Sequence, residues 1–218
     1  MAKVKAPLLS MRASGTIGKN IVFGAWRGVP YARQHVIPSN PQSAGQISTR
    51  NTFKWLNDLY RHLGGQGIQP WDAAAAGRPF TGRNALIKSN LPQLRAAASL
   101  ALLVGSPGVK GGPALDSFTP NTGAASGDID FDFTIPELPA GWALNKVAGF
   151  AVIEQDPHDL GPVGYDEGSY VGANPQTFTL ADLIPATDYA CVGWAVYVAD
   201  GGAIAYSPSS TAIVTSGA

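Results

Sequence analysis

The segment Asp128-Ile-Asp-Phe-Asp-Phe133 alternates acid and apolar residue without a break. Successive side chains of an extended strand point to opposite faces, so this run sets three carboxylates on one side and Ile129, Phe131 and Phe133 on the other. A helix would scatter both sets around its circumference. The run therefore predicts a half-buried strand, and its apolar face needs neighbours. Segments 146–154, 176–180, 189–199, 203–207 and 211–215 read as further strands. Turn residues separate them at Asp156-Pro157, Asn174-Pro175 and Asp200-Gly201-Gly202. Several short strands in succession argue for an antiparallel sandwich.

One stretch carries a family likeness. Leu183-Ile-Pro185-Ala-Thr187-Asp-Tyr189, followed by Gly201-Gly202 and Ser207, resembles a fibronectin type III or related immunoglobulin-like domain over residues 127–216. The resemblance implies that Tyr189 forms a tyrosine corner, its hydroxyl bonding nearby backbone while its ring enters the core. Along that strand Cys191, Gly193, Ala195 and Tyr197 would follow on the same face. The family's early core tryptophan has one candidate, Trp142, which lies in a turn-like stretch.

Charge divides the chain. Residues 1–115 hold 14 Lys/Arg and two acids, whereas residues 116–218 hold 13 acids and one base, Lys146. Opposite charge on two halves predicts two modules with different surroundings. Breaker-rich Gly105-Ser-Pro-Gly-Val-Lys-Gly-Gly-Pro113 and Pro120-Asn-Thr-Gly-Ala-Ala-Ser-Gly127 mark a boundary. The expected fold is α+β with two domains: a basic docking module over 1–104, a linker over 105–127 and an acidic immunoglobulin-like sandwich over 128–218. The bases of the first module are spread singly rather than in a phosphate-tracking cluster, so an anionic protein scaffold suits them better than nucleic acid.

Within the basic module an extended arm leads to a β-ribbon, 20–26 and 29–36, turned at Arg27-Gly28. Pro30 predicts that the second strand lies at an edge. A two-stranded ribbon is marginal alone and should lean on something else. Asn40 and Pro41 predict a helix start, with Phe53, Leu56, Tyr60 and Leu63 on its buried face and a stop at Gly64-Gly65. A short helix over 71–76 follows. Thr81 caps another over 82–89, and 92–104 reads as a further helix or a passage from helix to strand.

The pattern Gly18-Lys-Asn-Ile-Val-Phe-Gly-Ala-Trp26, Arg27-Gly28, Tyr31-Ala-Arg33, Ser39-Asn40-Pro41, Gln46, Arg50 and Trp71, continued by Gly82-Arg-Asn-Ala-Leu-Ile-Lys-Ser-Asn90, resembles tailed-bacteriophage structural proteins over about residues 15–90. The resemblance implies a virion component. Immunoglobulin-like domains are accessories on such virions, displayed outward from a module that docks on the particle.

Several catalytic and binding patterns come close and fail. Ala13-Ser-Gly-Thr-Ile-Gly18-Lys19-Asn20 lacks the first glycine and the Ser/Thr of a phosphate-binding loop. Asp128, Asp130 and Asp132 start like an EF-hand, but its sixth and twelfth positions are Phe133 and Pro139. The acidic loop 154–159, with Asp166 and Glu167, has nothing to fix its carboxylates around a cation. Cys191 has no histidine near it in sequence and reads as a core residue, while His35 and His62 read as packing or surface residues. One cysteine and three histidines leave little material for a metal site.

The expectation is a non-enzymatic virion structural protein, with no cofactor and no metal: a capsid decoration or cement protein that stabilises the shell. Its partners would be the major capsid protein and neighbouring copies of itself, with no membrane and no nucleic acid. Arg12, Lys19, Trp26, Arg27, Tyr31, Arg33 and Arg50 are the nominated interface residues, since Trp, Tyr and Arg dominate interface hot spots. The acidic sandwich would face outward on the capsid exterior and touch a host surface weakly. The start of the chain lacks a signal-type apolar run, and 96–104 is about half the length of a membrane span, so synthesis in the host cytoplasm is expected. Alternatives are a tail or neck component, or a host-glycan-binding sandwich using Trp142, Tyr165 and Tyr170.

Overall fold

A computed structural model of the chain describes residues 2–3, 13–37, 39–95, 99–156, 165–170, 176–199 and 201–218, with 2–3 and 165–170 as backbone only. They fall into two units, Met1–Gln42 and Ser43–Ala218.

Met1–Gln42 holds one antiparallel sheet. β1 (Ala2–Lys3), β2 (Gly15–Ile17), β3 (Ile21–Trp26) and β4 (Val29–Gln34) lie in the order β1-β4-β3-β2. The ribbon of β3 and β4 is tight because Arg27 and Gly28 both take positive φ, 49° and 80°. That is the mirror-image turn whose twist matches a two-residue hairpin. Sequence reading put β4 at an edge. Instead β1 pairs with it at Tyr31 and Ala32, next to Pro30, and among the described residues none of β1 is a register partner of Pro30.

The second unit begins with three helices. α1 (Ala44–His62) buries Thr52, Trp55, Leu56 and Leu59. It starts at Ser43 rather than at Asn40, and Phe53, expected inside, is 48% exposed. The buried stripe is set by Trp55 and Leu59, one turn apart, and Phe53 falls off it. Leu56 and Leu63 are buried as expected, and Tyr60 is half-buried. α2 spans Gly65–Ala75 and carries Pro70 inside it, so it starts earlier and is longer than the short helix expected over 71–76. α3 (Gly82–Leu94) is capped by Thr81, whose Oγ1 accepts from the Asn84 N–H at 3.4 Å, and runs through Pro92. A 3-10 turn, Leu100–Leu102, closes the helical segment.

The rest forms two sheets. β6 (Ser117–Thr122), β7 (Ile129–Thr134) and β10 (Gln176–Leu180) make one, in the order β10-β7-β6; β5 (Pro107–Val109), β8 (Ala143–Ile153), β9 (Tyr165–Tyr170), β11 (Asp188–Val198) and β12 (Ile204–Pro208) make the other, in the order β5-β12-β11-β8-β9. β13 (Ser210–Thr215) continues the edge of β12 along β11, with Ser209 between them. The three-stranded sheet covers one face of β8 and β11 with Ile129, Phe131, Phe133 and Leu180, which meet Val147, Ala151, Cys191, Ala195 and Tyr197.

The other face of β8 and β11 is equally apolar, and the helices cover it. Ala148, Phe150, Val152, Ala190, Val192, Trp194 and Val196 share one core with Trp55, Leu56, Leu59, Trp71, Leu86 and Leu94. Three layers result: a sheet, a central sheet buried on both faces, and helices. The boundary expected at 105–127 is therefore misplaced, and the division falls at Gln42/Ser43. Part of the supposed linker is strand, 107–109 and 117–122, and most of its glycines are packing residues, Gly111 being the open one. A Cβ on Gly105 would lie 2.5 Å from Val192 and 2.9 Å from Phe150, and one on Gly112 would lie 2.6 Å from the Tyr206 backbone carbon. Polar staples hold the same stretch. Buried Asn90 brackets Val104, with Oδ1 accepting from its N–H at 2.7 Å and Nδ2 donating to its carbonyl at 3.0 Å. Ser106 Oγ donates to the Ser207 carbonyl at 2.6 Å, and Ser209 Oγ accepts from the Gly105 N–H at 2.9 Å.

Candidate interaction surface

Strand register sorts the residues of the first unit onto two faces. Val22 pairs with Arg33, Gly24 with Tyr31 and Trp26 with Val29, so these six share one face, and Thr16 joins them opposite Val22. Ile17, Ile21, Phe23, Ala25, Pro30 and Ala32 share the other, with Gln34 as its polar member. One face is aromatic and cationic; its reverse is apolar.

Among the described residues of Met1–Gln42, neither face carries a buried side chain. Trp26 is 70% exposed, and Ile17, Ile21 and Val29 are each nearly half exposed. Tyr31 lies across Gly24, where a Cβ would come 2.7 Å from its hydroxyl, so glycine there lets the ring lie flat on the sheet. The Arg27 guanidinium sits 5.9 Å from the Trp26 ring, a cation–π contact that extends the aromatic face past the hairpin tip.

The nominated interface residues thus divide. Trp26, Tyr31 and Arg33 share a face and Arg27 stacks beside them. Lys19 occupies the turn at the far end of β3, where Gly18 and Lys19 both take positive φ. At ~3.3 Å per residue it stands ~25 Å from Arg27, so the two do not converge on one point. Both cations sit in left-handed backbone, a conformation that costs a non-glycine residue about 1 kcal/mol. Arg50 belongs to the other unit, where it lines an open groove of about 600 Å³ with Ser43, Gln46, Thr49 and Arg95. Arg12 lies outside the described residues.

The second unit presents a contrasting surface. On the outer side of the three-stranded sheet, Asp132 pairs with Thr119 and Thr177, and Asp130 with Asn121 and Thr179. Asn121 Nδ2 donates to Asp132 at 2.8 Å and Thr179 Oγ1 donates to Asp130 at 2.5 Å. The carboxylates are held upright in a ladder of hydroxyls and amides, along an open groove of about 480 Å³ that also borders Phe178. Of the aromatics considered for glycan binding, Trp142 is half-buried, edge-on to Tyr197 at 6.3 Å; the side chains of Tyr165 and Tyr170 lie outside the described residues. So does most of the acidic loop after Asp156. Among the described residues no three His, Cys, Asp or Glu gather in a metal-binding group, and no helix is long and apolar enough to cross a membrane.

Cys191 is fully buried between the sheets, and burial pushes its thiol up to about 12. Tyr189, two residues earlier, is 2% exposed, and its hydroxyl accepts from the Ile184 N–H at 3.0 Å. This is the tyrosine corner that the sequence implied, at the entry to β11. The sandwich is fibronectin type III-like. Its strand order and that corner carry the assignment. No family model and no curated protein matches the chain. Among solved structures it is similar to the FN5 domain of Drosophila Lar, at 15% identity over 48% of this chain and 96% of that one, with a TM-score of 0.33. It is also similar to a human FNIII domain, at 16% identity over 49% and 79%, with a TM-score of 0.34. Overlaps of this size carry no weight of their own.

The fibronectin-like sandwich differs from a free-standing one in its second covered face. Sequence reading took Tyr189, Cys191, Ala195 and Tyr197 as its core and passed over Ala190, Val192, Trp194 and Val196. The missed signal was present: 189–198 has no polar residue apart from its tyrosine hydroxyls and the Cys191 thiol, as a strand buried on both sides requires.

Proposed function

We propose that this chain is a non-enzymatic structural protein of a tailed-phage virion, a decoration protein that binds the major coat protein and reinforces the shell. One observation carries the reading: a sheet of four strands with no buried residue among those described, and with Ile17, Ile21, Trp26 and Val29 open to solvent. Stable sheets need a covered apolar face, and each buried large side chain contributes roughly 1.5–3 kcal/mol. A segment built this way gains its core from a partner. In this reading the apolar face of Ile17, Ile21, Phe23, Ala25 and Pro30 lies across coat subunits, and the interface must be broken before the shell opens. The fibronectin-like unit stands outward, where its acidic surface keeps particles apart. Likeness of residues 15–90 to phage structural proteins supports the setting.

Quantitative mass spectrometry of purified particles tests it. A ratio to major coat protein near one, or a simple fraction of one, is the expected result. A few copies per particle would assign the protein to the neck or tail, and absence from the particle would remove the virion reading.

A further inference from the structure

A sheet has two faces, and a coat surface covers one. The cationic face of Trp26, Tyr31 and Arg33 needs its own partner, and the chain carries a surface of matching chemistry. Met1–Gln42 holds six bases and no acid, whereas residues 116–218 hold 13 acids and one base. The charges stand unmet: among the described residues Lys19, Arg27 and Arg33 pair with no acid, and Asp130 and Asp132 pair with no base. The Asp130/Asp132 ladder is hydrogen-bonded in place along an open groove lined by Asn121, Thr177 and Thr179. Such a surface takes flat aromatic and guanidinium groups laid against it.

We infer that the aromatic–cationic face of one copy docks on the acidic outer face of the three-stranded sheet of a second copy, so that copies join head to tail. Arg27 and Arg33 meet the Asp130/Asp132 ladder, and Trp26 and Tyr31 supply the apolar contact between them. The formal net charge of the chain is zero, so a growing row of copies accumulates no repulsion. Because the two surfaces differ, the contact is heterologous and closes into a ring or extends along the particle. It goes beyond the coat contact and stands or falls without particles present.

The test is sedimentation of the purified full chain, wild type and two charge-reversal variants, R27E/R33E and D130K/D132K. The wild type should exceed the monomer mass at 50 mM NaCl in a concentration-dependent way. It should return to monomer at 500 mM, where the Debye length falls from roughly 14 Å to roughly 4 Å. Each variant alone should be monomeric, its self-association weakened on the order of tenfold or more. Mixed, they should associate again in a salt-sensitive way, because the intact Arg27/Arg33 face of one variant meets the intact Asp130/Asp132 ladder of the other, and the two reversed surfaces are opposite in charge as well. Should D130K/D132K fail to fold, D130N/D132N removes the charge with the amide geometry kept and is expected to be monomeric too. A wild type that stays monomeric at low salt at every concentration overturns the inference. So does a D130K/D132K variant that still self-associates, which would mean sheet-to-sheet pairing. Loss of self-association with coat binding kept leaves the decoration reading intact, so the two proposals fail separately.

Discussion

Gly149 and Gly193 are register partners across the centre of the buried sheet, and aromatic rings occupy the space their side chains would fill. A Cβ on Gly149 would lie 2.7 Å from the Phe131 ring, and one on Gly193 would lie 2.5 Å from Phe118 and 2.6 Å from Phe133. The glycine pair makes a shallow seat for Phe118, Phe131, Phe133 and Phe178, whose centroids lie 5.1–6.3 Å apart. Gly193→Ala should therefore destabilise the folded chain by about 1–3 kcal/mol through overpacking. Urea unfolding followed by tryptophan emission checks it. A variant as stable as wild type would show that the rings have room to move.

Burial of Cys191 gives a second expectation. With its thiol pushed up to about 12, the thiolate fraction at pH 8 falls on the order of 1,000-fold below that of a free cysteine. The single thiol of the chain should be silent to a thiol reagent under native conditions and react stoichiometrically in denaturant. Rapid native labelling would contradict a closed inter-sheet core.

Glu154 joins the helical segment to the central sheet. Its two carboxylate oxygens accept from the Leu100 N–H at 2.9 and 3.2 Å, just beyond the end of β8. Burial raises its pKa, the Leu100 bond opposes that rise, and nearby Asp188 adds to it. A carboxyl raised in the folded state holds its proton to higher pH than in the unfolded chain. Its contribution to stability is thus fullest at acid pH and declines as pH rises through the folded value. Glu154→Gln retains an acceptor for Leu100 and carries no charge. Relative to wild type, it should gain stability steadily as pH is raised from 4 to 7, in urea midpoints measured across that range. A difference independent of pH would contradict the burial effect.

How much was legible follows from how many faces each element buries. β7 buries one, and its Asp/Phe alternation gave both its strand and its orientation. The Arg27-Gly28 turn and the Thr81 cap were equally plain, because local backbone chemistry decides them. β8 and β11 bury two faces, and half of that apolar pattern was assigned to a core while the other half went unclaimed. Claiming it would have predicted the helical layer, and with it the role of Trp55 and Trp71. Gly105 and Gly112 were read as breakers because a packing glycine and a flexible one are the same letter. β9, with two acids and a glycine in six residues, shows no alternation and was missed. Trp26, Tyr31 and Arg33 were nominated from residue type, and strand register sets them on one face; Lys19 lies at the other end of β3 and Arg50 belongs to the other unit, neither of which residue type shows.

The central claim is that the sheet of Met1–Gln42 obtains its core from a partner. Hydrogen exchange of the full chain, free and bound to purified particles, tests it most directly. The amides of Ile21–Trp26 and Val29–Gln34 should exchange within seconds in the free chain below its self-association range. They should become protected by orders of magnitude on the particle, while those of β8 and β11 stay equally slow in both states. Unchanged exchange in β3 and β4 on binding, with new protection on the helices or the sandwich instead, would contradict it.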